Sequence, residues 1–165
     1  MRIIGSFFLL ILVFFSMLTF DPFVRHVDIA SGLARVSAWV SWMLLRGLSV
    51  FLGFVVHKNG TILGAGPFEV DVSPACSGAV PSMIYLSAVL AYPASARAKL
   101  IGSLLGLFMI NGLNLIRVVA LFLIGLYYNQ YFHETHVYIA QALVIAVAVA
   151  TWLYWAGRFT HAPGH

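Results

Sequence analysis

Three stretches of this sequence hold side chains able to do chemistry. The first, Ser73-Pro74-Ala75-Cys76-Ser77-Gly78-Ala79-Val80-Pro81-Ser82, carries the one cysteine of the chain. It stands where a polar, strand-like segment gives way to a long apolar run beginning near Val80. If that run is a membrane helix, Cys76 lies at its first turn, at the boundary between water and membrane. A thiol there meets both a helix N-terminus and solvent, the two conditions that favour a thiolate. The competing reading is a small buried cysteine that packs as an apolar group. A single cysteine excludes an internal disulfide or a CxxC redox pair, which argues against a thiol oxidoreductase.

The second stretch is Asn111-x-x-Asn114-x-x-Arg117. The spacing i, i+3, i+6 sets the three side chains at about 0°, 300° and 240° around a helix, one polar stripe on an otherwise apolar surface. An arginine inside a membrane helix costs at least about 2.5 kcal/mol unless it faces a cavity or a partner, so such residues mark sites by default. An arginine snorkelling to lipid headgroups is the alternative, but it leaves the two asparagines unexplained. The third stretch is His133-Glu134-Thr135-His136. Its histidines are three apart, not the four of the zincin helix. Together with Cys76 they make a candidate zinc set, although a loop histidine is the default for either, and no metal or other cofactor is predicted. A thiol, a histidine and an arginine on one membrane face support a different chemistry. The histidine takes the thiol proton, the thiolate attacks an amide carbonyl, and the arginine stabilises the oxyanion of the tetrahedral intermediate.

Membrane segments must position these groups. The 165 residues are 62% hydrophobic and only 8% charged, with a mean hydropathy of +0.98. So few charges cannot cover a soluble domain of this size, and the chain reads as one integral membrane domain over residues 1–165. Its net charge of +4 is dispersed, which excludes nucleic acid as a partner and is accounted for by loop charges near lipid. Met1-Arg2 precedes an apolar run from Ile3 to Phe20, about 27 Å as a helix. It is long for a signal peptide and shows no A-x-A site before Asp21-Pro22, so a retained transmembrane helix is expected.

After a polar break at Asp21–Val27, the stretch 28–54 places Arg35, Arg46, Trp39 and Trp42 near one helical face, as an interfacial or re-entrant helix would. Lys58-Asn59-Gly60, between Phe54-Val55-Val56 and Thr61-Ile62-Leu63, predicts a β-hairpin. Phe68–Val72 alternates as a half-buried strand leading to the cysteine. Val80–Ala94, with Pro81 able to kink its start, Leu100–Tyr128 and a helix from about Val137 to Trp155 complete the apolar segments. The expectation is an all-α polytopic protein: about four transmembrane helices, an interfacial or re-entrant helix and a small extracytoplasmic β-hairpin.

The short basic connection containing Arg97 and Lys99 belongs in the cytoplasm by the positive-inside rule. Cys76 and the His133–His136 loop then share the outer face, with Arg158 and Arg2 inside. This topology leaves Arg25, Arg35, Arg46 and Lys58 outside. If 28–54 spans instead, the N-terminus moves outside and the face of the cysteine is unchanged.

Pro74-Ala75-Cys76-Ser77-Gly78, the Asn111/Asn114/Arg117 motif and a histidine at the start of the last helix resemble the exosortase/archaeosortase family over roughly Glu69 to Trp155. The short length and the continuation His136-Val-Tyr-Ile-Ala-Gln are most similar to the exosortase H type. The resemblance implies a membrane cysteine transpeptidase of the bacterial cytoplasmic membrane, active on the outer side. Its partners would be membrane-anchored proteins whose C-terminal sorting signal comprises a short motif, a hydrophobic helix and a basic tail. It further implies Cys76 as nucleophile, Arg117 as oxyanion stabiliser or thiolate partner, and His136 in preference to His133 as base. Ser77, Gly78, Asn111, Asn114 and His133 would line the substrate site. Two rival readings are a non-enzymatic assembly factor glued by Arg117 and the asparagines, and a metal- or haem-binding protein using His133, His136 and His57.

Overall fold

The apolar runs fold as helices. In the computed structural model, which describes residues 2–19, 29–73 and 76–159, α1 is Arg2–Thr19, α2 Ile29–Leu52, α3 Ala79–Ala91 and α4 Ala96–Tyr127. A 3-10 turn (Asn129–Tyr131), a short helix α5 (Phe132–Glu134) and a π turn (Thr135–Ile139) lead into α6, Ala140–Phe159. The helical runs Ala96–Tyr127 and Asn129–Phe159 are long and apolar enough to cross a membrane, and α3 is a shorter apolar helix. The polar break at Asp21–Val27 lies outside the described residues. The predicted polar loop at 127–136 is instead almost wholly helical, so the last helical run begins before Val137. Phe132 packs there against Phe68 and His136, while Tyr127, Tyr128 and Tyr131 stay exposed.

α3 and α4 form an antiparallel pair with a short, capped turn. Ser95 Oγ accepts from the Ala98 amide at 3.3 Å, an N-cap for α4. Lys99 Nζ donates to Leu90 O at 2.6 Å, covering a carbonyl left over at the end of α3. Pro81 is the third residue of α3, where a missing amide breaks no intrahelical hydrogen bond, so the helix starts before it rather than after it. α6 returns along the pair, and Trp155 Nε1 donates to Ala98 O at 2.7 Å. Two glycines of α4 make these approaches close: a Cβ at Gly106 would strike the Tyr85 ring, and one at Gly102 the Trp155 ring.

The polar segment after α2 is a three-stranded antiparallel sheet, β1 (His57–Asn59), β2 (Ile62–Ala65) and β3 (Phe68–Asp71), not a single hairpin. Asn59 pairs with Ile62, so Gly60-Thr61 form the first turn, one residue later than Asn59-Gly60 would. Gly60 has φ 62 and Gly66, which opens the second two-residue turn with Pro67, has φ 58. A glycine with positive φ at the first turn position suits the twist of a tight hairpin, and the second such glycine adds the third strand. Phe54–Val56 stays outside the sheet, with the Phe54 ring 6.2 Å from that of Phe122.

α4 threads two apolar clusters. At its middle Ile110 packs with Tyr85 and Val89 of α3 and Val144 and Trp155 of α6. Further along, Val118 and Phe122 pack with Leu63, Ala65 and Val72 beside the sheet and with Ala38 and Leu45 of α2. α2 is one continuous helix whose buried side chains, Ala34, Ala38, Ser41 and Leu45, follow helical spacing. Arg35 and Arg46 are exposed, and the Arg46 guanidinium lies 5.2 Å over the Trp42 ring, a cation–π contact. Tyr127 Oη donates to Leu52 O at 3.4 Å, so α2 and α4 end side by side.

Candidate active site

The stripe Asn111–Asn114–Arg117 occupies the gap between the two clusters, after Ile110 and before Val118. The cysteine loop packs onto it there. Asn114 is fully buried and its Nδ2 donates to Cys76 O at 2.7 Å. Asn111 Nδ2 donates to Ser82 Oγ at 3.1 Å and to Leu107 O at 2.8 Å, fixing the first turn of α3 beside α4. Gly78 sits between them with φ 79 as the N-cap of α3. A Cβ there would lie 3.2 Å from Asn111 Oδ1 and 3.4 Å from Asn114 Cβ, so both the backbone conformation and the close approach call for glycine.

Cys76 itself is half-buried, in a turn whose amide donates to Ser73 O at 2.8 Å. It precedes the N-cap and does not lie in the first turn of α3, because Gly78 breaks the helix at that point. Ser77 is buried; its Oγ accepts from the Ala79 amide at 3.4 Å, and its carbonyl accepts from Ser37 Oγ of α2 at 3.4 Å. Ser37 is a contact that nothing in the sequence pattern signalled.

The third group arrives from the far side. His136 lies in the π turn, and its Nε2 stands 3.8 Å from Cys76 Sγ. π turns occur mostly as local insertions in α-helices, frequently at functional sites, where the extra residue re-aims a side chain. The His136 ring also meets the Phe132 ring edge to face at 5.7 Å, Phe132 meets Phe68 of β3 at 5.6 Å, and Phe68 meets Phe122 of α4 at 5.7 Å. The sheet thereby braces the histidine. Phe132 was not among the residues singled out from sequence, although the period-two pattern around Phe68 did mark its partner.

Arg117 is nine-tenths buried, its Nε is enclosed without a hydrogen-bond partner, and its charge acts on the His136 ring. A snorkelling arginine would carry its guanidinium into solvent; this one does not. His133 is exposed. His57 is engaged with Glu69 across the sheet at 3.3 Å. Among the described residues, no three His, Cys, Asp or Glu side chains come together as metal ligands. The structure thus brings Cys76, His136, Arg117 and Asn114 around one point and leaves His133 at its rim.

A half-buried thiol–imidazole pair thus stands beside a buried arginine among apolar helices. The chain belongs to the transmembrane exosortase family, whose family model matches residues 3–155. That is a family of cysteine-type transpeptidases. No curated protein and no solved structure matches the chain.

Proposed function

We propose that this protein is a membrane cysteine peptidase or transpeptidase, a short exosortase of the H type, with Cys76 as nucleophile, His136 as base and Arg117 as oxyanion stabiliser. The observation that carries this reading is the 3.8 Å approach of Cys76 Sγ and His136 Nε2 beside the buried Arg117, in a chain of this family. In the neutral tautomer with hydrogen on Nδ1, His136 Nε2 takes the thiol proton. The thiolate attacks a substrate carbonyl carbon, a C–S bond forms, and the negative charge moves to oxygen, where the guanidinium stabilises it. The C–N bond then breaks and His136 returns its proton to the leaving amine. An acceptor amine, or water, next attacks the thioester and releases the thiol. The substrates are exported proteins bearing a C-terminal sorting signal, cut near the outer surface of the bacterial cytoplasmic membrane. Ser77, Gly78, Asn111, Asn114 and His133 line the substrate path.

Cys76→Ala tests the mechanism. The variant protein accumulates at normal levels, while a sorting-signal precursor stays at full length on an immunoblot of the membrane fraction. Processing at the normal rate in that strain would overturn the mechanism.

A further inference from the structure

Asn114 carries more information than its hydrogen bond to the cysteine loop. Its Nδ2 donates to Cys76 O at 2.7 Å, and a carbonyl oxygen only accepts, so the orientation of the amide is fixed by chemistry. Oδ1 is therefore an acceptor, and it is buried with no donor. One turn on, Arg117 Nε is a donor, and it is buried with no acceptor. Both side chains are at least nine-tenths buried, with relative exposures of 1% and 9%. An unmet buried polar atom is costly, about 1–3 kcal/mol each, and native structures keep few without a reason. Here two of opposite sense stand on one helix face beside the nucleophile. The other orphans among the described residues, on Ser41, Trp42 and Trp152, lie on α2 and α6 and not on this stripe.

An acceptor and a donor side by side complement one edge of an extended peptide residue, which presents its own N–H and C=O in the same direction. We infer that Asn114 Oδ1 and Arg117 Nε form a two-point receptor for the backbone of the substrate residue whose carbonyl is attacked. Asn114 takes that residue's N–H and Arg117 its C=O. Recognition at this position is of main chain, independent of side chain, and the residue on the acyl side cannot be proline or N-methylated. The inference rests on reading Cys76 as the nucleophile, and it makes Asn114 a substrate-binding residue as well as a support for the loop.

Because the chain has one cysteine, alkylation read by peptide mass as the cysteine thioether, apart from any histidine adduct, reports on this site alone. The probes are the chloromethyl ketone of N-acetylglycine and its ester isostere, in which oxygen replaces the N–H. In both, the thiolate sulfur displaces chloride and forms a C–S bond at the methylene. Rates with purified protein in detergent are divided by those with glutathione, which cancels intrinsic reactivity. The normalised preference for the amide probe should be about 3- to 10-fold, the worth of one net hydrogen bond, and should fall to unity in Asn114→Ala. Equal normalised rates in the wild-type protein overturn the inference, and so does a preference that survives in Asn114→Ala. The wild-type comparison needs no variant, so poor folding of Asn114→Ala does not protect the idea. Alkylation requires no peptide cleavage. Fast but equal labelling therefore refutes the receptor and leaves the peptidase reading standing, whereas precursor processing by Cys76→Ala refutes that reading on its own.

Discussion

At the scale of single residues, two substitutions separate what His136 does from what Gly78 does. His136→Gln keeps a hydrogen-bonding side chain near Cys76 Sγ but removes the proton acceptor now 3.8 Å away. Precursor processing should fall about 10²- to 10⁴-fold, the usual contribution of a positioned base. Iodoacetamide labelling of Cys76 should slow at pH 7 yet match the wild type near pH 10, where hydroxide ionises a thiol without help. Equal slowing at both pH values would mean that the variant closes the site. Gly78→Ala acts through the backbone: an L-residue at φ 79 costs about 1–2 kcal/mol, and its Cβ would press on Asn111 Oδ1. Melting in detergent should drop by roughly 3 to 6 °C, and labelling should weaken as the Asn114–Cys76 hydrogen bond is strained. An unchanged melting temperature would show that the loop shifts freely.

At the scale of elements, the sheet emerges as a device for holding the histidine. Phe68 projects from β3 onto α4 at Gly125, where any Cβ would strike its ring, and through Phe132 it reaches His136. Gly125→Val should displace Phe68, loosen Phe132 and cut processing by more than tenfold while Cys76 still labels near pH 10. Circular dichroism should show the helices retained. Full activity in Gly125→Val would mean that the aromatic chain is only packing. The elements differ in how legible they were. The polar stripe of α4 was readable because three polar residues at helical spacing have no other use in an apolar segment. The glycine and hydrophobic alternation gave the presence of β structure, but not its register, because Asn59-Gly60 and Gly60-Thr61 are both acceptable turns locally. The π turn was not readable at all, since the extra residue per turn leaves no mark on composition; sequence placed His136 at a helix start, whereas it sits inside a helical run. Ser37 was invisible for a related reason: its contact depends on which face α2 turns toward the cysteine loop, and Ala38 and Leu45 set that face by packing with Val118 and Phe122 of α4.

At the scale of the molecule, helix lengths place the site relative to a bilayer. The basic residues Arg97, Lys99 and Arg158 lie near one end, where Trp155 Nε1 meets Ala98 O. From Ala98 to Asn114 the helix rises about 24 Å, and from Trp155 back to His136 about 28 Å, close to the roughly 30 Å of hydrocarbon. The thiol, imidazole and guanidinium therefore stand one membrane thickness from the basic end. α4 continues about 20 Å further, from Asn114 to Tyr127, and there the sheet and α2 pack against it. Below the site its outward side chains are apolar and bare, with Leu100, Leu104 and Phe108 each at least 60% exposed, as lipid contact requires. α2 is level with the cysteine loop at Ser37, about 12 Å along the helix from Ile29, its first described residue. The positive-inside rule puts the basic end in the cytoplasm, and we propose that orientation. A membrane-impermeant maleimide should then label Cys76 in intact spheroplasts and leave it unlabelled in sealed inverted vesicles. Detergent should restore labelling in the vesicles. Labelling confined to inverted vesicles would reverse the orientation and, with it, rule out exported proteins as substrates.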